Sequence, residues 1–295
     1  MPGLTPRSFC AADFDLDALC RAKADAGTSI SVCIPARDEE ATVGAVVGTI
    51  VRDLVERHAL VDEVVVVDDR STDRTVAVAE RAGARVVEAD HVLSQLGPST
   101  GKGEALWKSL AASTGDLVAW CDADVRGFDA RFVIGLVAPM LLDGEIDFVK
   151  GWYERNSGRV TELTARPAIA LLFPHLAPFA QPLSGEYAGR RSLLERMPFA
   201  TGYGVDLALL IDVAAELGVD RMAQVDLGVR VHRNRPLEEL SAQAVAVLRA
   251  ALGRAGVSLS AFPTLLTRPG LDDVTIDDSE RPPLVDVPAY RRRTA

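Results

Sequence analysis

Three short apolar runs constrain the fold of this chain more than any other feature. Ser29–Ile34 (SISVCI), Glu63–Val67 (EVVVV) and Leu117–Cys121 (LVAWC) are of strand length and mostly β-branched or otherwise apolar. They are continuous rather than alternating. A strand that is apolar on both faces must be covered on both faces, which is the situation of a parallel sheet between layers of helices. Helical patterns lie between the runs. Thr42–Glu56 has apolar Val43, Val46, Val47, Ile50, Leu54 and Val55 at helical spacing, and Asp73–Ala82 and Lys102–Ser113 also read as helices, with a short strand at Arg85–Glu88. The fold class expected is α/β, a mostly parallel sheet flanked by helices.

In such sheets ligands bind beyond the carboxyl ends of the strands. The polar residues here collect at those ends: Pro35-Ala36-Arg37-Asp38-Glu39, Asp68-Asp69-Arg70-Ser71 and Asp122-Ala123-Asp124. After about residue 147 the rhythm changes. Phe148–Tyr153 and Ala223–Val231 read as strands, and Thr161–Leu172, Val205–Leu217 and Pro236–Leu252 as helices. The division expected is a helical N-terminal extension over 1–27, a nucleotide-binding core over 28–147, a smaller acceptor-binding and metal-completing region over 148–255, and a tail over 256–295. The tail is rich in Asp, Pro and Arg and reads as loosely ordered.

Bulk properties exclude several functions. A formal net charge of −10 argues against a nucleic-acid-binding surface. No apolar stretch approaches the length needed to cross a bilayer, and Met1–Asp25 lacks the apolar core of a signal peptide. Cys10, Cys20, Cys33 and Cys121 are too dispersed for a metal knuckle and read as thiols in a reducing compartment. A cytoplasmic protein with a soluble substrate is expected.

Asp122 and Asp124 follow a strand directly. Residues two apart in an extended segment point the same way, so both carboxylates can face one ligand. A hard divalent ion held by one or two carboxylates plus substrate phosphates is the usual Mg2+ or Mn2+ arrangement. At Asp68-Asp69 a helix cap at Ser71 or Thr72 explains part of the pattern. It does not explain two adjacent carboxylates, one of which can accept a hydrogen bond from a nucleobase or ribose. Lys102, between two glycines at a helix start, can reach a phosphate. The first glycine and the following Ser/Thr of a P-loop are missing, and no G-x-G-x-x-G follows the first strand, so neither an NTPase nor a Rossmann dehydrogenase is indicated. In Arg230-Val231-His232-Arg233-Asn234-Arg235, three arginines stand out against the acidic background; guanidinium forks suit carboxylate and phosphate, and His232 is a candidate metal ligand. Gly158-Arg159-Val160-Thr161 offers another fork and a hydroxyl at a helix start.

At these residues the first half resembles the GT-A glycosyltransferases, which have a Rossmann-like fold: PARDEE, VVVDDRSTD, GKGEAL and CDADV occur in the family's order. VKGWYER, GRVTELTARP, QPLSGEYAGRR, FATGYGVDLALLID and AQVDLGVRVHRNRPL narrow the resemblance to the actinobacterial glucosyl-3-phosphoglycerate synthases of glycosyltransferase family 81, over roughly residues 28 to 255. The resemblance implies a homodimer that uses Mg2+ or Mn2+. It would transfer glucose with retention from UDP-glucose, or GDP-glucose in some members, to the 2-hydroxyl of 3-phosphoglycerate. That is the first step of methylglucose lipopolysaccharide synthesis.

The resemblance also assigns residues. Pro35, Ala36, Arg37, Glu39, Asp69, Ser71, Lys102, Asp122, Asp124 and Tyr203 would line the donor site. Asp124 and His232 would hold the metal, and Gly158, Arg159, Thr161 and Asn234 would grip phosphoglycerate. Lys102, Asp124, Asp206 and Arg230 would serve the chemistry. Asp206 stands where the family carries Glu, so sugar preference is open to change, and a mannosyl-3-phosphoglycerate synthase using GDP-mannose is the alternative. A non-catalytic nucleotide-sugar-binding protein is a further one, disfavoured by Asp122, Asp124 and His232 all being present.

Overall fold

A computed structural model describes residues 5–154, 158–230 and 237–294. In chain order the first half contains β1 (Arg7–Cys10), α1 (Leu16–Ala26), β2 (Ile30–Ala36), α2 (Val43–Ile50), β3 (Glu63–Asp68), α3 (Thr75–Arg81), β4 (Arg85–Glu88), α4 (Lys102–Ala112), β5 (Leu117–Trp120) and α5 (Arg131–Leu142). The second half contains β6 (Phe148–Glu154), α6 (Arg166–Leu172), β7 (Tyr187–Arg190), α7 (Arg191–Leu194), β8 (Phe199–Ala200), α8 (Val205–Leu217), β9 (Met222–Val229), α9 (Leu237–Arg254), β10 (Leu265–Arg268), β11 (Leu271–Thr275), β12 (Glu280–Arg281) and α10 (Pro288–Thr294).

One eight-stranded sheet organises the molecule, in the order β1-β9-β6-β7-β5-β2-β3-β4. Only β7 runs antiparallel to its neighbours. The continuous apolar strands are explained by two cores, one on each face. Val65 and Val67 enter one core and Val64 and Val66 the other; Val118 and Trp120 part in the same way from Leu117 and Ala119. Local chemistry sets the helix ends. Asp15 caps α1 by accepting the Ala18 N–H at 2.7 Å, and Gly27 ends the helix at φ 61°.

The expected division at 147/148 is not a break in the sheet, because β6, β7 and β9 belong to it. The N-terminal extension is not only helical: β1 adds an edge strand parallel to β9. The tail differs most from expectation. β12 pairs antiparallel with β8, and Leu284, Val287 and Tyr290 are buried in the core that contains α4 and α8. Composition misled here because the few apolar residues are widely spaced and the buried charge, Arg281, is paired with Glu104.

Candidate active site

β2, β3 and β5 are parallel, and Ala36 registers with Asp68 while Cys33 registers with Trp120. Their carboxyl ends therefore meet along one edge. A cavity of about 430 Å³ opens there. Its walls bring together most of the residues singled out from sequence. Pro35, Ala36, Arg37 and Glu39 come from the end of β2, Asp69 from the end of β3, and Asp122 and Asp124 from the end of β5. Lys102 opens α4, and Tyr203 and Asp206 flank the start of α8. Gly158, Arg159 and Thr161 also line it, where a π-helical turn at Thr161–Ala165 leads into α6.

Some assignments fall elsewhere. Ser71 does not line the cavity; its hydroxyl accepts the Asp38 N–H at 2.9 Å and ties the loops after β2 and β3 together. Arg230 lies beneath the cavity rather than in its wall, with 4% of its surface exposed. His232 and Asn234 lie outside the described residues.

Two cations organise the acidic floor. Lys102 Nζ stands 3.3 Å from Asp122 Oδ1 and 3.1 Å from Asp206 Oδ2. Burial opposes the Lys102 charge, but the two carboxylates outweigh it and hold the ammonium's pKa well above its ordinary value. Arg230 spreads its fork over three acids: Nη1 is 3.2 Å from Asp122 Oδ2 and 2.6 Å from Glu186 Oε1, and Nη2 is 2.8 Å from Asp124 Oδ1. Nη1 also donates to the Tyr153 hydroxyl at 2.8 Å. Burial pushes the Asp122 carboxyl up, and Lys102 and Arg230 together pull it well below the usual carboxylate range. The expectation that Asp122 and Asp124 share a face holds, since one guanidinium reaches both.

The paired carboxylates after β3 divide their roles. Asp68 Oδ2 accepts the Ser71 N–H at 3.1 Å and so closes the local turn. Asp69 faces the cavity, where its Oδ2 accepts the Gly101 N–H at 3.2 Å and lies 3.8 Å from Arg37. Gly101 needs its positive φ of 114° to present that N–H, and a Cβ there would lie 2.8 Å from the Thr201 carbonyl. Asp69 Oδ1 is buried and lacks a partner, and burial raises the carboxyl's pKa.

Sequence reasoning missed several contributors. Glu186 is fully buried and takes the third place on Arg230; burial drives its pKa up to about 7 against the pull of that guanidinium. Gly185 backs the Lys102–Asp122 pair. Thr100, Tyr153, Leu183 and, on α9, Leu240, Gln243 and Val247 complete the lining. Only the SGEYAGRR string carried a hint of Gly185 and Glu186. The α9 residues gave none, because helical periodicity does not tell which neighbour a face meets.

A divalent ion fits this floor in part. Among the described residues no three His, Cys, Asp or Glu side chains converge on one point. Asp122 is neutralised by two cations. Asp124 gives one oxygen to Arg230, keeps 35% of its side chain exposed and borders the cavity. A hard ion taking one carboxylate and filling its remaining positions with substrate phosphates suits that geometry.

Comparison with known proteins agrees with this geometry. The family model described as glycosyl transferase family 2 matches residues 31–203. The glucosyl-3-phosphoglycerate synthase of Mycolicibacterium smegmatis is 46% identical, over 88% of this chain and 90% of that protein. The enzyme of the same name from Petrotoga mobilis is 38% identical, over 97% and 96%. The crystal structure of the Mycobacterium tuberculosis glucosyl-3-phosphoglycerate synthase in complex with Mn2+, UDP-glucose and phosphoglyceric acid superposes with a TM-score of 0.89 at 44% identity, covering 96% of this chain and 99% of that one. Another structure of that enzyme holds Mn2+, UDP and glucosyl-3-phosphoglycerate. The fold thus falls within a known architecture, and the chain belongs to the glucosyl-3-phosphoglycerate synthases, a family of GT-A glycosyltransferases.

Proposed function

We propose that this protein transfers glucose, with retention, from UDP-glucose to the 2-hydroxyl of 3-phosphoglycerate, releasing UDP. One observation carries the reading. A single cavity is lined by the acids Asp69, Asp122 and Asp124 and also by Arg159 and Thr161, from the segment leading into α6. The acids suit a nucleoside diphosphate with a divalent ion, and the guanidinium and hydroxyl an acceptor that carries both carboxylate and phosphate. Relatives named as glucosyl enzymes, and the UDP-glucose in a superposed structure, favour glucose and uridine over the mannosyl alternative.

Asp69, at the end of β3 on the cavity wall, would accept a hydrogen bond from the nucleobase. Lys102, charged between Asp122 and Asp206, would bind the diphosphate and stabilise the charge it gains on leaving. Asp206, which borders the cavity, would accept a sugar hydroxyl. Arg230 holds Asp122 and Asp124 in register. Asp124 would hold Mg2+ or Mn2+, with His232, outside the described residues, as a second protein ligand. The ion would supply positive charge to the diphosphate. Gly158, Arg159, Thr161 and Asn234 would orient phosphoglycerate.

The carboxylates that follow β3 and β5 and open α8 all stand against cations, unlike a dedicated nucleophile: Asp122 and Asp206 contact Lys102, Asp124 contacts Arg230, and Asp69 lies near Arg37. This supports substitution on the same face of the sugar, with the leaving diphosphate oxygen taking the acceptor proton. Catalysis then rests on positioning and electrostatics. A cytoplasmic homodimer completes the proposal. No helix among the described residues is long and apolar enough to cross a membrane, and the four cysteines are unpaired.

The test is a donor panel. Purified protein is given UDP-glucose, GDP-glucose or GDP-mannose with 3-phosphoglycerate, with and without a chelator, and products are identified by mass spectrometry and NMR. Glucosyl-3-phosphoglycerate with an α linkage, formed fastest from UDP-glucose and lost on chelation, is the expected result. Preference for GDP-mannose, or an inverted linkage, would overturn the reading. Light scattering reports the oligomeric state.

A further inference from the structure

We propose that Arg281, in the C-terminal segment, is a positioning residue for the donor loop: it pins both ends of segment 96–104 and so sets where Thr100, Gly101 and Lys102 stand. The inference rests on the donor-site reading above. Arg281 is 8% exposed. Its Nε donates to Glu104 Oε2 at 2.7 Å and its Nη2 to Glu104 Oε1 at 2.9 Å. Its remaining contacts go to the far end of the same segment: Nη1 donates to the Leu96 carbonyl at 2.9 Å and Nη2 to the Gly97 carbonyl at 2.8 Å. Glu104 lies two residues beyond Lys102 on α4. One planar fork thus bridges the entry and the exit of the loop whose middle lines the cavity.

The fork is itself fixed. Arg281 pairs with Phe199 across β12 and β8, and its guanidinium lies 5.6 Å from the centroid of the Trp107 ring. The Trp107 indole N–H donates to the carbonyl of Pro282 at 2.9 Å. β8 continues into Thr201, whose carbonyl accepts the Glu104 N–H at 3.0 Å and whose own N–H donates to Ser279 O at 3.0 Å. The C-terminal segment therefore backs the donor loop from behind.

A purely structural ion pair would be a weak use of these contacts. A buried pair contributes little net stability over apolar residues of the same shape. Here two further hydrogen bonds reach loop carbonyls that no side chain on α4 holds in this way. Lysine could not reproduce them, since an ammonium is a point donor without the planar fork.

The test separates loop positioning from folding. Arg281→Met combined with Glu104→Gln removes both charges of the pair together and keeps an amide acceptor for buried Lys108, which lies 3.6 Å from Glu104 and loses that carboxylate as its ion partner. Arg281→Lys is the second variant and carries the same test if the first does not fold. UDP binding in the presence of Mn2+ is measured by calorimetry, and KM values for UDP-glucose and for 3-phosphoglycerate by steady-state kinetics. The expected result is UDP binding weakened about tenfold, the equivalent of about 1.4 kcal/mol, with KM for UDP-glucose rising in parallel. KM for 3-phosphoglycerate should stay within about twofold, well inside that tenfold step. Unchanged UDP affinity in a folded variant, or equal losses for both substrates, would overturn the inference alone. A wild-type protein that fails to bind UDP would overturn the donor-site reading, and this inference with it.

Discussion

Gly185 lies against Asp122 so closely that a Cβ on the glycine would fall 2.4 Å from Asp122 Oδ1 and 2.5 Å from Lys102 Nζ. At those distances a Cβ would push the ammonium and the carboxylate aside, so a side chain before Glu186 would change how the two meet. The Lys102–Asp122 pair, at 3.3 Å, is therefore shaped from three separate stretches of chain: the start of α4, the end of β5 and the approach to β7.

Gly185→Ala should displace the lysine and tilt the carboxylate while leaving the cores untouched. A misplacement near 1 Å at a reacting centre costs about 10²-fold in rate. We expect kcat with UDP-glucose to fall by roughly that factor, with little change in thermal midpoint. Near-normal turnover in the variant would mean that the pair is not needed in the geometry described.

Asp124 and Arg230 touch, yet their removal should have opposite signatures. Asp124 is a third exposed and pairs with Arg230, so Asp124→Ala should leave stability nearly unchanged while abolishing turnover and metal-dependent UDP binding. Arg230 is buried among Asp122, Asp124 and Glu186. Arg230→Met strands fully buried Glu186 in a dry setting, which costs about 3–5 kcal/mol when one partner of a buried pair is lost. Urea unfolding and an activity assay on both variants check this. An Asp124→Ala protein that turns over normally at limiting metal would refute its role.

How much of this was legible in the sequence follows from the distance over which each feature is encoded. The strands β2, β3 and β5, and the acids at their ends, are local: β-branched runs stopping at Asp or Arg say where the strands end, and parallel pairing then forces those ends together. Glu186 was not legible because it reaches Arg230 only after β7 inserts between β5 and β6, a matter of topology. The Arg281–Glu104 pair spans 177 residues, and nothing near either residue announces the other. The tail read as loose for the same reason, since its charged composition becomes a buried, satisfied structure only against α4 and β8.

Acceptor recognition can be separated from donor recognition within the cavity. Arg159 and Thr161 line it together with Asp69. If they grip phosphoglycerate, Arg159→Ala should raise KM for 3-phosphoglycerate by tenfold or more, given that a charge-assisted hydrogen bond contributes about 1.5–3 kcal/mol. KM for UDP-glucose should hardly move. An unchanged acceptor KM would remove Arg159 from the site, and a parallel rise in both would indicate a collapsed wall rather than a lost contact.

Beneath the floor, Lys150 makes a prediction about pH. Its ammonium is 1% exposed, donates to the Asp206 carbonyl at 3.3 Å and lies 4.2 Å from the centroid of the Tyr187 ring. Burial, only partly offset by the Asp206 charge, pulls its pKa down to about 8 from an ordinary 10.5. Below pH 8 both folded and unfolded chains hold the proton, and the folded state bears the full cost of burying it. Between about 8 and 10.5 the unfolded chain keeps the proton while the folded one has released it, so raising the pH favours folding, by up to about 3 kcal/mol at the alkaline limit. Lys150→Met lacks this contribution. Urea unfolding of both proteins at pH 7, 8, 9 and 10 should therefore show the stability of the wild type gaining on that of the variant from pH 8 upward, with a flat difference below it. Titrating groups far from Lys150 shift both proteins alike and cancel in the comparison. A difference that stays level from pH 7 to pH 10 would mean that Lys150 keeps an ordinary pKa, and that the floor beneath Asp206 is wetter than its burial indicates.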